Sequence, residues 1–109
     1  MAKGDMSTEL LTLVAARFKA LAEPARLQIL DALRAGELTV GELVERTGLG
    51  QANVSKHLQQ LAAAGFVRRR KEGLYVLCCL ADDVVLELCD IMCGRIEAEA
   101  RSRQELFTP

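Results

Sequence analysis

The chain has 109 residues, half of them hydrophobic and 27% charged, with a formal net charge of −1. This is one domain's worth of sequence with an ordinary globular balance, small enough that dimerisation would help it bury a core. No apolar run approaches the roughly 18 residues of a membrane span, and the N-terminal "MAKGDMSTELL" lacks a secretory apolar stretch. No membrane contact is therefore expected, and a cytoplasmic setting that keeps thiols reduced is.

In chain order, residues 7–22 read as a helix. Ser7 or Thr8 can cap it, and Leu10, Leu13, Val14, Phe18 and Leu21 recur at helical spacing. Glu23-Pro24 breaks it, and Pro24 suits the first turn of a second helix with Leu27, Leu30 and Leu33 on one face and Gly36 closing it. Thr39 and Glu42 have capping-box spacing and open a short helix through Arg46, stopped by Gly48. A fourth helix spans about 51–64, with Val54, Leu58 and Leu61 as its buried row and Gly65 as its stop. "FVRRRKEGLYVLCCL" then reads as two strands around a tight Glu72-Gly73 turn, because Val67, Leu74, Tyr75, Val76 and Leu77 favour strand. A last helix runs from Asp82 to about Arg103.

This order predicts a mainly α chain with a small β-hairpin: a winged helix-turn-helix of about five helices plus a two-stranded wing, in one domain over 1–109. The turn motif occupies 39–64 and the wing 66–80. In such a fold the second helix of the motif enters the DNA major groove and the hairpin touches flanking backbone.

The charge pattern agrees. Between Arg46 and Lys71 lie six Lys or Arg and His57, and no acid. Gly50 stands at the N-cap of the fourth helix, leaving Gln51, Asn53, Ser55, Lys56 and His57 on exposed faces. Short polar side chains there can hydrogen-bond base edges, and Lys56 can pair with phosphate. His57 has no second ligand and no nucleophile beside it, so a polar DNA contact outweighs a metal or base role. Arg68, Arg69, Arg70 and Lys71 alternate around a strand, and at a wing their natural partner is phosphate. The alternative for both groups is a solvated surface.

"FKALAEPARLQIL", residues 18–30, together with "TVGELVERTGLGQANVSKHLQQLAAAGFVRRRKEGLYV" resembles the ArsR/SmtB family of bacterial repressors over roughly residues 10–88. The resemblance implies a homodimer with the first and last helices (7–22 and 82–103) at the interface. It also implies a double-stranded operator with an inverted repeat, released by an inducer. The sequence departs from the family in two places. The turn-motif helix reads "VGELVERTGL" where metal-sensing members carry a cysteine box. Asp82 matches the first zinc ligand of the last helix, but no His stands near Val84 or Arg95.

Neither familiar site carries over, so if the chain has a sensor it is the cluster Cys78, Cys79, Cys89 and Cys93, which holds every thiol of the chain. Cys89 and Cys93 share a helical face with Cβ atoms about 5–6 Å apart, too far for an unstrained disulfide but easily bridged by one soft ion. Cys78 and Cys79 point to opposite faces of a strand, so one of them can join the pair. Three thiolates suit arsenite, antimonite or a heavy divalent ion as inducer; DNA binding itself requires no cofactor. Redox or persulfide sensing is the alternative. So is packing, because Cys89 and Cys93 lie within an apolar arc of Val84, Val85, Leu86, Leu88, Ile91, Met92 and Ile96.

An enzyme is not expected: there is no Gly-rich phosphate loop, no Ser/His/Asp set, and no Cys-x-x-Cys beside a βαβ unit. A protein-interaction module on the same scaffold would show no salt-dependent DNA binding.

Overall fold

The computed structural model describes residues 5–108. Helix α1 (Thr8–Leu21) is capped by Ser7, whose hydroxyl accepts from the Leu10 N–H at 3.1 Å. Helix α2 (Pro24–Ala32) begins on its proline and tightens into a single 3₁₀ turn, Leu33–Ala35. Strand β1 (Leu38–Thr39) leads into α3 (Val40–Thr47). There the capping box closes reciprocally: Glu42 N–H to Thr39 Oγ1 at 3.1 Å, Thr39 N–H to Glu42 Oε1 at 2.9 Å. These bonds hold the Glu42 carboxyl below its usual range, the backbone N–H contributing most.

Gly48 ends α3 at φ 73°, a left-handed turn that only glycine adopts cheaply, and it aims the chain into α4 (Gln51–Ala63). At the far end of α4, Gly65 donates to Ala62 O and Phe66 to Leu61 O, a Schellman closure that folds Phe66 back onto the core. Strands β2 (Val67–Glu72) and β3 (Tyr75–Leu80) follow, then α5 (Val84–Leu106).

Four local expectations are corrected. The two-stranded wing, β2 and β3, gains an unforeseen third strand: β1 pairs with β3, Leu38 opposite Cys78, giving an antiparallel sheet in the order β1-β3-β2. Glu72 pairs with Tyr75, so the hairpin loop is Gly73-Leu74, one residue beyond the expected turn. In α2 and the 3₁₀ turn after it the buried set is Ile29, Leu30 and Leu33, while Leu27 is exposed. The last helix starts at Val84 rather than Asp82, because Asp82 Oδ1 accepts from the Val84 N–H at 3.0 Å, and it runs on to Leu106.

The core lies between α2, α3, α4 and the sheet, and is filled by Ile29, Leu30, Leu33, Leu43, Val54, Leu58, Leu61, Val67 and Cys78. The long helices at the chain's two ends barely take part: α1 buries no residue and α5 only Val85. The radius of gyration is accordingly 17.0 Å, against about 13 Å for a close-packed domain of this length. No helix among the described residues is long and apolar enough to cross a membrane.

Candidate DNA-reading surface and thiol sites

Helix α4 buries Val54, Leu58 and Leu61, and this fixes which side chains remain outside. Gln51, Asn53, Ser55 and Lys56 are exposed at its N-terminal half, as the spacing predicted. His57 is not. Its side chain is only 16% exposed and turns toward α2, where Nδ1 accepts from Arg26 Nε at 3.2 Å. Glu23 Oε2 lies 3.6 Å from the same nitrogen. The expected base contact is thus an interhelical acceptor, because Arg26, with a side chain 14% exposed, has to be satisfied inside the fold.

The wing divides its cations in the same way. Arg68, Arg69 and Lys71 are exposed and make no ion pair among the described residues. Arg70 is held on both sides. Its guanidinium donates to Glu37 at 2.8 and 3.1 Å and to Glu72. The bonds that Arg70 donates to Glu37, then to Glu72, raise its pKa, and the Arg70 bond holds the Glu37 carboxyl low. Arg70 therefore braces the sheet edge to the segment before β1. Sequence reasoning missed both acids; the one available signal was Glu72, directly after the acid-free window.

None of the four thiols is paired in a disulfide, and they differ in burial. Cys78 is fully buried on β3, opposite Leu38 and Arg69, and burial pushes its pKa up. Cys79 is half-buried on the other face, opposite Arg68. Cys89 is half-buried against the core, and Cys93 is exposed one turn along α5. Burial raises the Cys89 pKa, and the charge of Cys93 raises it further. Among the described residues no three His, Cys, Asp or Glu side chains converge as a metal site. The expected three-thiolate set is therefore not assembled within one chain. What remains is a two-thiol face, Cys89 and Cys93. Its helix is anchored by Asp90, which accepts from Arg34 at 3.0 and 3.3 Å, a contact not foreseen from sequence.

Beside the thiols runs an unpartnered apolar face. Leu13 and Phe18 of α1 and Leu88, Ile91, Met92 and Ile96 of α5 are exposed, Ile91 at 72%. A cleft of about 190 Å³ between the two helices is walled by Val14, Phe18, Leu21 and Leu88.

A short helix, a glycine turn, a reading helix with a free polar face and a basic hairpin behind it define a winged helix-turn-helix. The model of the arsR family of bacterial regulatory proteins matches residues 23–69, from α2 into β2. The chain is 39% identical over 71 residues to the "Probable mercury resistance operon repressor" of Streptomyces lividans, covering 65% of this chain and 57% of that protein. It is 40% identical over 74 residues to the transcriptional activator HlyU of Vibrio cholerae, covering 68% of each. Its fold superposes on the homodimeric winged helix-turn-helix DNA-binding domain Mb0332 of Mycobacterium bovis with a TM-score of 0.78. There the identity is 32%, over 93% of this chain and 95% of that one. The chain belongs to the ArsR family, whose members are DNA-binding transcriptional regulators and not enzymes. It spans less than two thirds of the length of the Streptomyces relative.

Proposed function

We propose that two copies of this chain pack through α1 and α5 and present their α4 helices to an inverted-repeat operator, in the cytoplasm, as a repressor. The observation that carries this is the pairing of two unfilled surfaces on one fold. The apolar face of α1 and α5 has no partner among the described residues, and single soluble domains rarely leave such a patch exposed. The polar face of α4, with the unpaired Arg68, Arg69 and Lys71, has the chemistry of base edges and phosphate. Residues 7–22 and 82–103 act as the dimerisation segments, 39–64 as the reading motif and 66–80 as the wing.

The inducer is a thiophilic ion held by Cys89 and Cys93: arsenite or antimonite, or a heavy divalent ion of the kind named in the Streptomyces relative. Cys78 is too buried to serve without rearrangement, and Cys79 faces the opposite side of the sheet. Because these two thiols adjoin the exposed face of α5, an ion bridging them changes the surface on which the copies meet. To release DNA it needs a coupling of roughly 1–3 kcal/mol. A two-thiol face also suits oxidation or persulfide formation, and that second reading is favoured by the absence of a third ligand among the described residues.

The deciding experiment is a DNA-binding titration with arsenite, mercuric ion or a mild oxidant, on wild type and on Cys89→Ser/Cys93→Ser. Release by an ion in wild type alone supports ion sensing. Release by oxidant alone supports redox sensing. If neither reagent acts, the cysteines are packing.

A further inference from the structure

We infer that Leu74, at the tip of the wing, is a DNA-reading residue that packs into the minor groove beside the half-site read by α4. This rests on the repressor reading above. Glu72 pairs with Tyr75, so Gly73 and Leu74 form a two-residue loop. Gly73, at φ 60°, takes the position that demands glycine. The next position makes no demand for an apolar side chain, and loops of this kind favour Asn, Asp or Ser there. Leu74 occupies it at 99% exposure, more than any other large hydrophobic residue described.

A lone exposed leucine needs no explanation. The surroundings of this one name its occupant. Tyr75, directly after it, is 65% exposed, so the apolar tip is two residues wide. Leu74 and Tyr75 share a cleft of about 260 Å³ with Gln51 and Ser55, and so the tip is continuous with the reading face of α4. Arg69 and Lys71 on the same hairpin carry the charge that a phosphate backbone would meet. A second copy of the chain does not account for the tip. Leu74 precedes the end of β3 by six residues, about 20 Å of strand, which carries it away from the apolar face of α5.

With α4 in the major groove and the hairpin against flanking backbone, the inferred place of the tip is the adjoining minor groove. A leucine can neither donate to nor accept from base edges. It can pack against sugars and wedge a base step open, as apolar side chains do in minor-groove binders. Such a contact reads deformability, favouring the easily unstacked pyrimidine–purine steps TA and CA. Leu74 thereby adds sequence preference outside the bases that Gln51 and Ser55 reach.

The test uses the full chain and a duplex of about 30 bp, long enough for two half-sites, selected by wild type from a random pool. The step beneath each wing is then set to TA, CA or AA. Affinity is measured for wild type, Leu74→Asn, which suits the loop, and Leu74→Met, which stays apolar. Wild type and Leu74→Met are expected to prefer TA over AA by about tenfold, the effect of one poor base pair. Leu74→Asn should lose that preference with an unchanged salt slope, since no phosphate contact is removed. Fluorescence of 2-aminopurine at the step should rise on binding wild type and not Leu74→Asn. A preference retained by Leu74→Asn, or no fluorescence change with wild type, overturns the inference while leaving the repressor reading intact. A wild-type chain that selects no duplex overturns both.

Discussion

Arg26 Nε donates to His57 Nδ1 at 3.2 Å and so ties α2 to the middle of the reading helix. Arg26 Nη1 also donates to Ala20 O at 3.1 Å, in the last turn of α1. One guanidinium therefore links the apolar outer helix α1 to α4, the second helix of the turn motif. Replacing His57 by Ala leaves a largely buried guanidinium nitrogen unpaired and is expected to cost about 1–2 kcal/mol of stability. Affinity should fall by a similar factor for every DNA sequence, because the helix shifts as a unit. Melting curves and a set of single-base operator variants check this. Relaxed preference at one base pair, with stability unchanged, would make His57 a base contact after all.

The ion pairs of Arg70 separate the wing cations by experiment. Arg69→Ala or Lys71→Ala should reduce the slope of log affinity against log salt by about 0.9 each, the value of one lost phosphate contact. Arg70→Ala should leave the slope nearly unchanged, because Glu37 and Glu72 already occupy that guanidinium. Glu37→Gln should steepen it, by freeing Arg70 for phosphate. Filter binding or fluorescence anisotropy across a salt series measures all four.

These two predictions rest on contacts that the sequence pattern does not display. What was legible was local. The capping box of Thr39 and Glu42, the left-handed Gly48 and the row Val54, Leu58 and Leu61 are set by residues three or four apart, and each formed as read. What was missed is non-local. Strand β1 is two residues long and exists only because Leu38 and Thr39 meet Cys78 and Leu77 far along the chain. Arg70 and Glu37 are 33 positions apart, Arg26 and His57 31. Gln51, Asn53, Ser55 and Lys56 of α4 are exposed, as their spacing predicted. The expectation of exposure failed at His57 because it depends on α2, which covers one flank of the helix. The thiols were grouped by sequence proximity, but strand alternation and burial keep Cys78 and Cys79 from joining the α5 pair.

The exposed face of α1 and α5 predicts the assembly state. Ile91 is 72% exposed and Met92 61%, so Ile91→Glu should leave the monomer fold intact by circular dichroism. In the dimer the same change buries a carboxylate in an apolar contact, which is strongly unfavourable. Sedimentation equilibrium should therefore show a dimer for wild type and a monomer for Ile91→Glu. Operator affinity should fall on the order of 100-fold or more, the avidity lost when two linked half-sites become independent. A variant that stays dimeric removes α5 from the interface.

The thiols should react in the order of their burial, and the α5 pair should bind ions in a pH-dependent way whose sign is fixed. Cys93 is exposed, Cys89 half-buried and Cys78 wholly buried. With iodoacetamide, intact-mass analysis should show Cys93 labelled first, Cys89 more slowly and Cys78 only under denaturant. For an ion held by Cys89 and Cys93, both protons must leave. Burial, and then the charge of Cys93, raise the Cys89 pKa. Affinity for arsenite or mercuric ion should accordingly fall as pH drops, and should keep rising with pH beyond the ordinary thiol range. Cys78 acts through stability instead. Its folded-state pKa lies above the unfolded value, so its contribution is fully present below the ordinary thiol pKa and is lost as pH rises through the raised one. Alkaline unfolding should therefore be blunted in Cys78→Ala, at the cost of a small cavity at neutral pH. In Cys89→Ser/Cys93→Ser the pH dependence of ion binding should vanish while operator binding persists. If that double variant still binds the ion with the same pH profile, the site lies elsewhere, and Cys79 is the next thiol to replace.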